Sequence, residues 1–139
     1  MRNREATHMK ILIVEDEASS RHLLKSLLSG YGACELAEDG PVAVEMFKAA
    51  LSSGQHYDLV TLDIKLPTMD GMEVLRNIRR IESDHGIQIG DGTKVIMTTA
   101  LSDHKKVIEA FNEQCEVYLV KPIEKAKLVE HMRKLKLID

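Results

Sequence analysis

Asp58-Leu59-Val60-Thr61-Leu62-Asp63-Ile64-Lys65-Leu66-Pro67-Thr68-Met69-Asp70-Gly71 is the most informative stretch of the chain. Leu59, Val60 and Leu62 make an apolar run that reads as a buried strand. The run stops at a carboxylate, Asp63. That acid therefore sits at the strand's carboxyl end, where open α/β sheets gather their ligands. Pro67 and Asp70-Gly71 are turn signals. Beyond them Val74, Leu75, Ile78 and Ile81 recur at helical spacing. The unit is a strand, an acid at its tip, a stiff loop and a helix.

The flanking sequence repeats this alternation. Lys10-Ile11-Leu12-Ile13-Val14 is a continuous apolar run, ended by Glu15-Asp16-Glu17, and predicts a strand buried on both faces. Leu23, Leu24, Leu27 and Leu28 form the stripe of a first helix, which Gly30 ends. Ala33 to Ala37 is a weaker strand nearer an edge. Glu38-Asp39-Gly40-Pro41 turns into a second helix, with Pro41 in its first turn and Ala43, Met46, Phe47 and Ala50 on its apolar face. Ser83 to Gly92 is polar, carries three glycines and reads as a long surface insertion. Lys94 to Thr99 is a fourth strand. Ser102-Asp103 starts a fourth helix with Val107, Ile108 and Phe111. Val117 to Val120 is a fifth strand, ended by Lys121-Pro122. Leu128, Val129, Met132 and Leu135 define a fifth helix. Five strands alternating with five helices predict an α/β fold, a doubly wound parallel sheet covered on both faces.

Bulk properties narrow the function. The 139 residues fit one domain with one core. Residues 1–8 are polar and patternless and read as a tail before a domain at 9–139. Two Phe, three Tyr and no Trp suit a sheet filled by Val, Ile and Leu. A net charge of −3, with both signs interspersed, argues against a nucleic-acid or membrane surface. Cys34 and Cys115 are isolated, as expected of inert thiols in a cytoplasmic protein. The six histidines are scattered and receive no metal role. No apolar run approaches the roughly 20 residues of a membrane span, and no signal peptide is apparent.

Polar residues gather at successive strand ends: Glu15 and Asp16 after the first, Asp63 at the third, Thr99 at the fourth and Lys121 at the fifth. In a parallel sheet these ends share one edge. Three carboxylates so placed repel unless a cation joins them, and Mg²⁺, with its preference for oxygen ligands and retained waters, suits the set. Lys121 adds a fixed positive charge. A carboxylate between metal and ammonium is a nucleophile toward phosphorus, and Thr99 can donate to a phosphoryl oxygen. Taken singly, Asp63 reads as a strand-end cap, Glu15-Asp16 as a helix start and Lys121 as a solvated charge. Their joint alignment sets them apart.

Four motifs, Leu-Ile-Val-Glu-Asp-Glu (12–17), Leu-Asp-Ile-Lys-Leu-Pro-Thr-Met-Asp-Gly (62–71), Thr-Thr-Ala (98–100) and Tyr-Leu-Val-Lys-Pro (118–122), resemble those of the receiver domain of two-component response regulators. The resemblance spans about residues 9–137. It implies a flavodoxin-like five-stranded sheet in the order 2-1-3-4-5, a fold for which a family member is a standard example. It also implies Asp63 as phosphoacceptor, with Lys121 and Thr99 at the phosphoryl group. Asp16, Asp63 and the backbone carbonyl of Lys65 would bind Mg²⁺, Glu15 acting through water. Thr99 and Tyr118 would form the switch pair, and the Lys121-Pro122 bond is commonly cis in the family.

The implied partners are a histidine kinase or phosphotransfer protein as donor, and a downstream protein target at the face made by the fourth helix, fifth strand and fifth helix. A homodimer is left open. The expected role is a stand-alone signalling switch rather than an enzyme. Glu15-Asp16 stands where Asp-Asp is commoner. Lys65 and Leu101 occupy family positions that tune phosphate loss, and neither can readily orient an attacking water. Two alternatives are a receiver-like interaction module independent of phosphate and an aspartate-dependent metal phosphatase. The latter often carries a second acid where this chain has Lys65.

Overall fold

The computed structural model of the chain describes residues 9–100 and 113–139. The apolar runs become strands β1 (Met9–Val14), β2 (Gly32–Ala37), β3 (Leu59–Asp63), β4 (Lys94–Thr99) and β5 (Val117–Val120). All neighbours pair in parallel, in the order β2-β1-β3-β4-β5. Between and after them lie helices α1 (Ala18–Leu28), α2 (Gly40–Ser52), α3 (Gly71–Asp84) and α4 (Lys125–Lys134). The helix expected from Ser102 through Phe111 falls outside the described residues, so α4 is the fifth helix of the sequence reading.

Alternation along the central strands divides the core in two, because successive side chains point to opposite faces. Leu12, Val14, Val60, Leu62, Val95 and Met97 pack with Ala43 and Phe47 of α2 and Val74, Leu75 and Ile78 of α3. Ile11, Ile13, Leu59, Ile96 and Leu119 pack with Leu24 and Leu28 of α1 and Leu128 and Met132 of α4. Each of the larger of these side chains (Val, Leu, Ile, Met or Phe), fully buried, contributes about 1.5–3 kcal/mol. The edge strand β2 is only half-buried, as its mixed sequence predicts. One expected core residue is corrected: Leu23 is 44% exposed. Leu24 and Leu28 already meet the sheet, and Leu23, about 100° around the helix from Leu24, turns away.

The insertion also begins later than expected. Helix α3 runs on to Asp84, and 85–93 form an irregular loop without the small hairpin that its glycines allow. The loop is anchored at one end by charges. Glu82, nearly buried at the end of α3, accepts from Thr93 N through Oε2 (2.7 Å) and from Arg79 Nη1 through Oε1 (2.8 Å). Arg79 Nη1 also donates to Thr93 O (2.9 Å). Its Nη2 donates to Gln114 O (2.7 Å) and Glu116 Oε1 (3.0 Å). Glu116 Oε1 in turn accepts from Val95 N (2.6 Å). One guanidinium thus ties the end of α3, the start of β4 and the approach to β5.

Arg79→Ala leaves the buried Glu82 carboxylate without its cation. It is expected to lower unfolding free energy by about 3–5 kcal/mol, measured from urea midpoints. A loss below about 1 kcal/mol, the value of an exposed pair, would contradict a structural role for this hub.

Candidate functional site

Strand register builds the site. Val14 pairs with Leu62, so the next residues, Glu15 and Asp63, emerge side by side. Thr99 pairs with Val120 in the adjoining ladder, so Lys121 follows at the same edge. Backbone bonds carry the alignment past the strands: Glu15 N donates to Ala37 O (3.1 Å), Ile64 N to Thr98 O (3.0 Å) and Lys121 N to Thr99 O (2.8 Å). The Lys121-Pro122 peptide is cis.

The loop after β3 is equally constrained. Met69 N donates to Pro67 O (2.7 Å), closing a three-residue turn around Thr68 at φ 69°. For a β-branched residue that conformation is strained. Gly71 N donates to Ile64 O (2.8 Å), and Asp70 caps α3 by accepting from Glu73 N (3.0 Å). A Cβ at Gly71 would run into the Asp63 carbonyl oxygen and stand 2.8 Å from Ile64 Cα. The Asp70-Gly71 pair is therefore structural, and the glycine lets α3 start directly against the end of β3.

At the centre, Asp63 is nearly buried. Its Oδ2 accepts from Lys121 Nζ (2.9 Å) and its Oδ1 from Lys65 N (3.1 Å). Glu15 is fully buried, and its Oε1 lies 3.0 Å from the same Nζ. That contact has ion-pair distance without hydrogen-bond geometry, so Glu15 Oε1 remains a buried oxygen lacking a donor. Asp16 is exposed at the rim, yet it, Glu15 and Asp63 each offer an oxygen within 4.8 Å of the others. Three carboxylate oxygens, one without a donor, fit a hard divalent cation such as Mg²⁺. The Lys65 backbone nitrogen is engaged by Asp63, which holds that residue beside the group.

Charge crowding shifts the titrations. Burial and the neighbouring Asp63 carboxyl raise the Glu15 carboxyl to about 7, and Lys121 pulls against both. For Lys121, burial pulls downward, but the hydrogen bond to Asp63 and the negative charges of Asp63 and Glu15 outweigh it and the net shift is upward. The ammonium therefore stays charged at neutral pH.

Thr99 is buried, and its hydroxyl donates to Ala100 O (3.0 Å). Tyr118, two residues short of the end of β5, is 39% exposed. Asp63, Glu15, Asp16 and Lys121 thus come together, Thr99 ends the strand beside them, and Tyr118 faces outward. Leu101 lies outside the described residues. Both thiols are pushed upward by burial, Cys115 to about 12, as expected of unreactive cysteines. One participant had gone unremarked: Arg21, which reaches back to the acidic turn.

Comparison with known proteins agrees with this fold. Residues 11–133 match the response regulator receiver domain. The chain is 33% identical over 128 residues to the chemotaxis protein CheY of Bacillus subtilis (strain 168), covering 90% of this chain and 95% of that protein. It is 36% identical over 132 residues to a probable histidine kinase 2 of Oryza sativa subsp. indica, covering 88% of this chain but spanning only 12% of that relative. A chain in the CheX-CheY-BeF3-Mg+2 complex from Borrelia burgdorferi superposes with a TM-score of 0.80, 26% identity and 98% of each chain covered. A chain in the co-crystal structure of the Saccharomyces cerevisiae phosphotransfer protein Ypd1 with the receiver domain of Ssk1 gives 0.77 at 25% identity, covering 93% of this chain and 89% of that one. Among the described residues no helix is long and apolar enough to cross a membrane.

The Glu15 titration has a measurable consequence. Its carboxyl ionises near 4.5 when unfolded and near 7 when folded. Between those values the folded state holds the extra proton, so this group's stability contribution is full below pH 4.5 and is lost as pH rises through 7. In EDTA, the Tm of the wild type is expected to fall relative to that of Glu15→Gln across this window. Parallel profiles for the two proteins would show that Glu15 does not carry the effect.

Proposed function

This chain belongs to the response regulator receiver-domain family of two-component signalling, and on that premise we propose that it is a phosphorylation-dependent switch with Asp63 as phosphoacceptor. The observation that carries the reading is the Lys121 ammonium 2.9 Å from Asp63 and 3.0 Å from Glu15 at the edge where three carboxylates meet. A module working without phosphate has no use for so costly a buried cluster.

In the reaction, an Asp63 carboxylate oxygen attacks the phosphorus of a phosphohistidine on a kinase or phosphotransfer protein. The P–N bond breaks as the P–O bond forms, and the imidazole nitrogen takes up a proton. Lys121 leaves its place on the carboxylate to neutralise phosphoryl oxygens. Glu15, Asp16, Asp63 and the Lys65 carbonyl would hold Mg²⁺, Glu15 through water, and the cation would supply charge neutralisation during the transfer. The Thr99 hydroxyl trades Ala100 O for a phosphoryl oxygen.

The new group brings about −1.5 to −2 charges. Movement of Thr99 opens space into which Tyr118 turns, which remodels the surface around β5 and α4. That surface presents the output to a downstream protein.

Incubation with acetyl phosphate and Mg²⁺ is expected to add one phosphate by mass spectrometry, absent in Asp63→Asn. Modification that persists in Asp63→Asn would refute the assignment. Neither Lys65 nor Leu101 can orient a hydrolytic water. The phosphoprotein is therefore expected to decay over minutes or longer in Mg²⁺ buffer, and loss within seconds would count against that account.

A further inference from the structure

The turn that carries Glu15 and Asp16 is held by a side chain outside the acidic group. Arg21, in the first turn of α1, donates from Nη1 to Glu15 O (3.0 Å) and to Asp16 O (3.1 Å). Its side chain is only 12% exposed. The other nitrogen, Nη2, is 3.9 Å from Glu38 Oε2, whose side chain is 76% exposed. An ion pair that long and that wet contributes little. The guanidinium is therefore committed chiefly to two consecutive carbonyls, those of the two residues that end β1 as acids.

These acids differ in how they are held. Glu15 is locked by burial and by Lys121. Asp16 is exposed, yet its carboxylate must meet the other two within a few ångströms. With its carbonyl fixed to Arg21, the backbone from which that carboxylate projects is fixed as well. Ordering a turn before a ligand arrives removes the ordering cost from binding.

We infer that Arg21 is a positioning residue for the divalent cation, setting the placement of Asp16 relative to Glu15 and Asp63 and thereby the affinity for Mg²⁺. The inference rests on the reading of the three carboxylates as a Mg²⁺ site. Residues that orient metal ligands without touching the metal are commonly worth about 10–100-fold in affinity. Charge alone does not explain the contact, because its acceptors are carbonyls. Both bonds leave one nitrogen, so a lysine would keep the charge and could make part of the contact, but its flexible, strongly hydrated ammonium is less fixed in direction than the planar guanidinium.

The test is calorimetric titration of the full chain with MgCl₂, comparing wild type with Arg21→Ala, Arg21→Gln and Arg21→Lys. Arg21→Ala and Arg21→Gln are expected to raise the Kd for Mg²⁺ about tenfold or more, with Arg21→Lys between them and wild type. The Mg²⁺ concentration giving half-maximal phosphorylation by acetyl phosphate should rise in step, while the rate at saturating Mg²⁺ is retained. A merely structural role would not split the two in this way. Arg21→Gln carries the test if Arg21→Ala does not fold. Wild type that binds Mg²⁺ with variants matching it within about twofold, far below the range for such partners, overturns this inference alone. Wild type that binds no Mg²⁺ overturns the reading of the site as well.

Discussion

One ammonium between two buried carboxylates is the constraint around which this molecule is arranged. Glu15 and Asp63 stand on neighbouring parallel strands, both nearly or wholly withdrawn from water, and Lys121 reaches each at about hydrogen-bond distance. Removing charges from water is expensive, and an excess of one sign is worse. Burial and the Asp63 carboxyl accordingly hold a proton on Glu15 up to about 7. A group in that condition is poised to exchange its proton for a cation. The site is under-compensated in a way that a divalent ion and a phosphoryl group can relieve.

The opposite edge of the sheet supplies a contrast made from similar parts. There Arg79 lies between Glu82 and Glu116. Its fork also takes the carbonyls of Thr93 and Gln114, while the two acids accept from Thr93 N and Val95 N. That edge gives these charged groups hydrogen-bond partners on several elements, so it stiffens the fold. The lysine edge uses a compact point charge that can shift its allegiance, whereas the arginine edge uses a planar fork that cannot. Stability is concentrated at one end of the strands, and chemistry at the other.

Local sequence carried unequal amounts of this. Strands β1, β3 and β4 were readable because burial on both faces demands an unbroken apolar run, and an acid that ends such a run is conspicuous. The loop after Asp63 was readable from Pro67 and Asp70-Gly71, although the reason for the glycine, its approach to the Asp63 carbonyl, required coordinates. Leu23 was misplaced because four leucines in six positions exceed what one helical stripe can bury. Arg79, Glu82 and Glu116 drew no remark from sequence, since nothing in a polar helix end announces a partner about 11 to 37 residues away. Arg21 was overlooked for the same reason: an arginine in a first helical turn has no local signature of donating backward to carbonyls.

The alternation of strands with helices and the identity of the acids and lysine at the strand ends follow from the one-dimensional pattern, because hydrophobic periodicity and strand-end position are local properties, whereas the order of the strands was implied only by the resemblance of four motifs to the receiver family. Which leucine faces water, which arginine pins a turn, how far Glu15 departs from an ordinary carboxyl and where Tyr118 points belong to the folded chain alone. Each depends on desolvation and distance between residues remote along the polymer, and neither quantity exists until the sheet has closed.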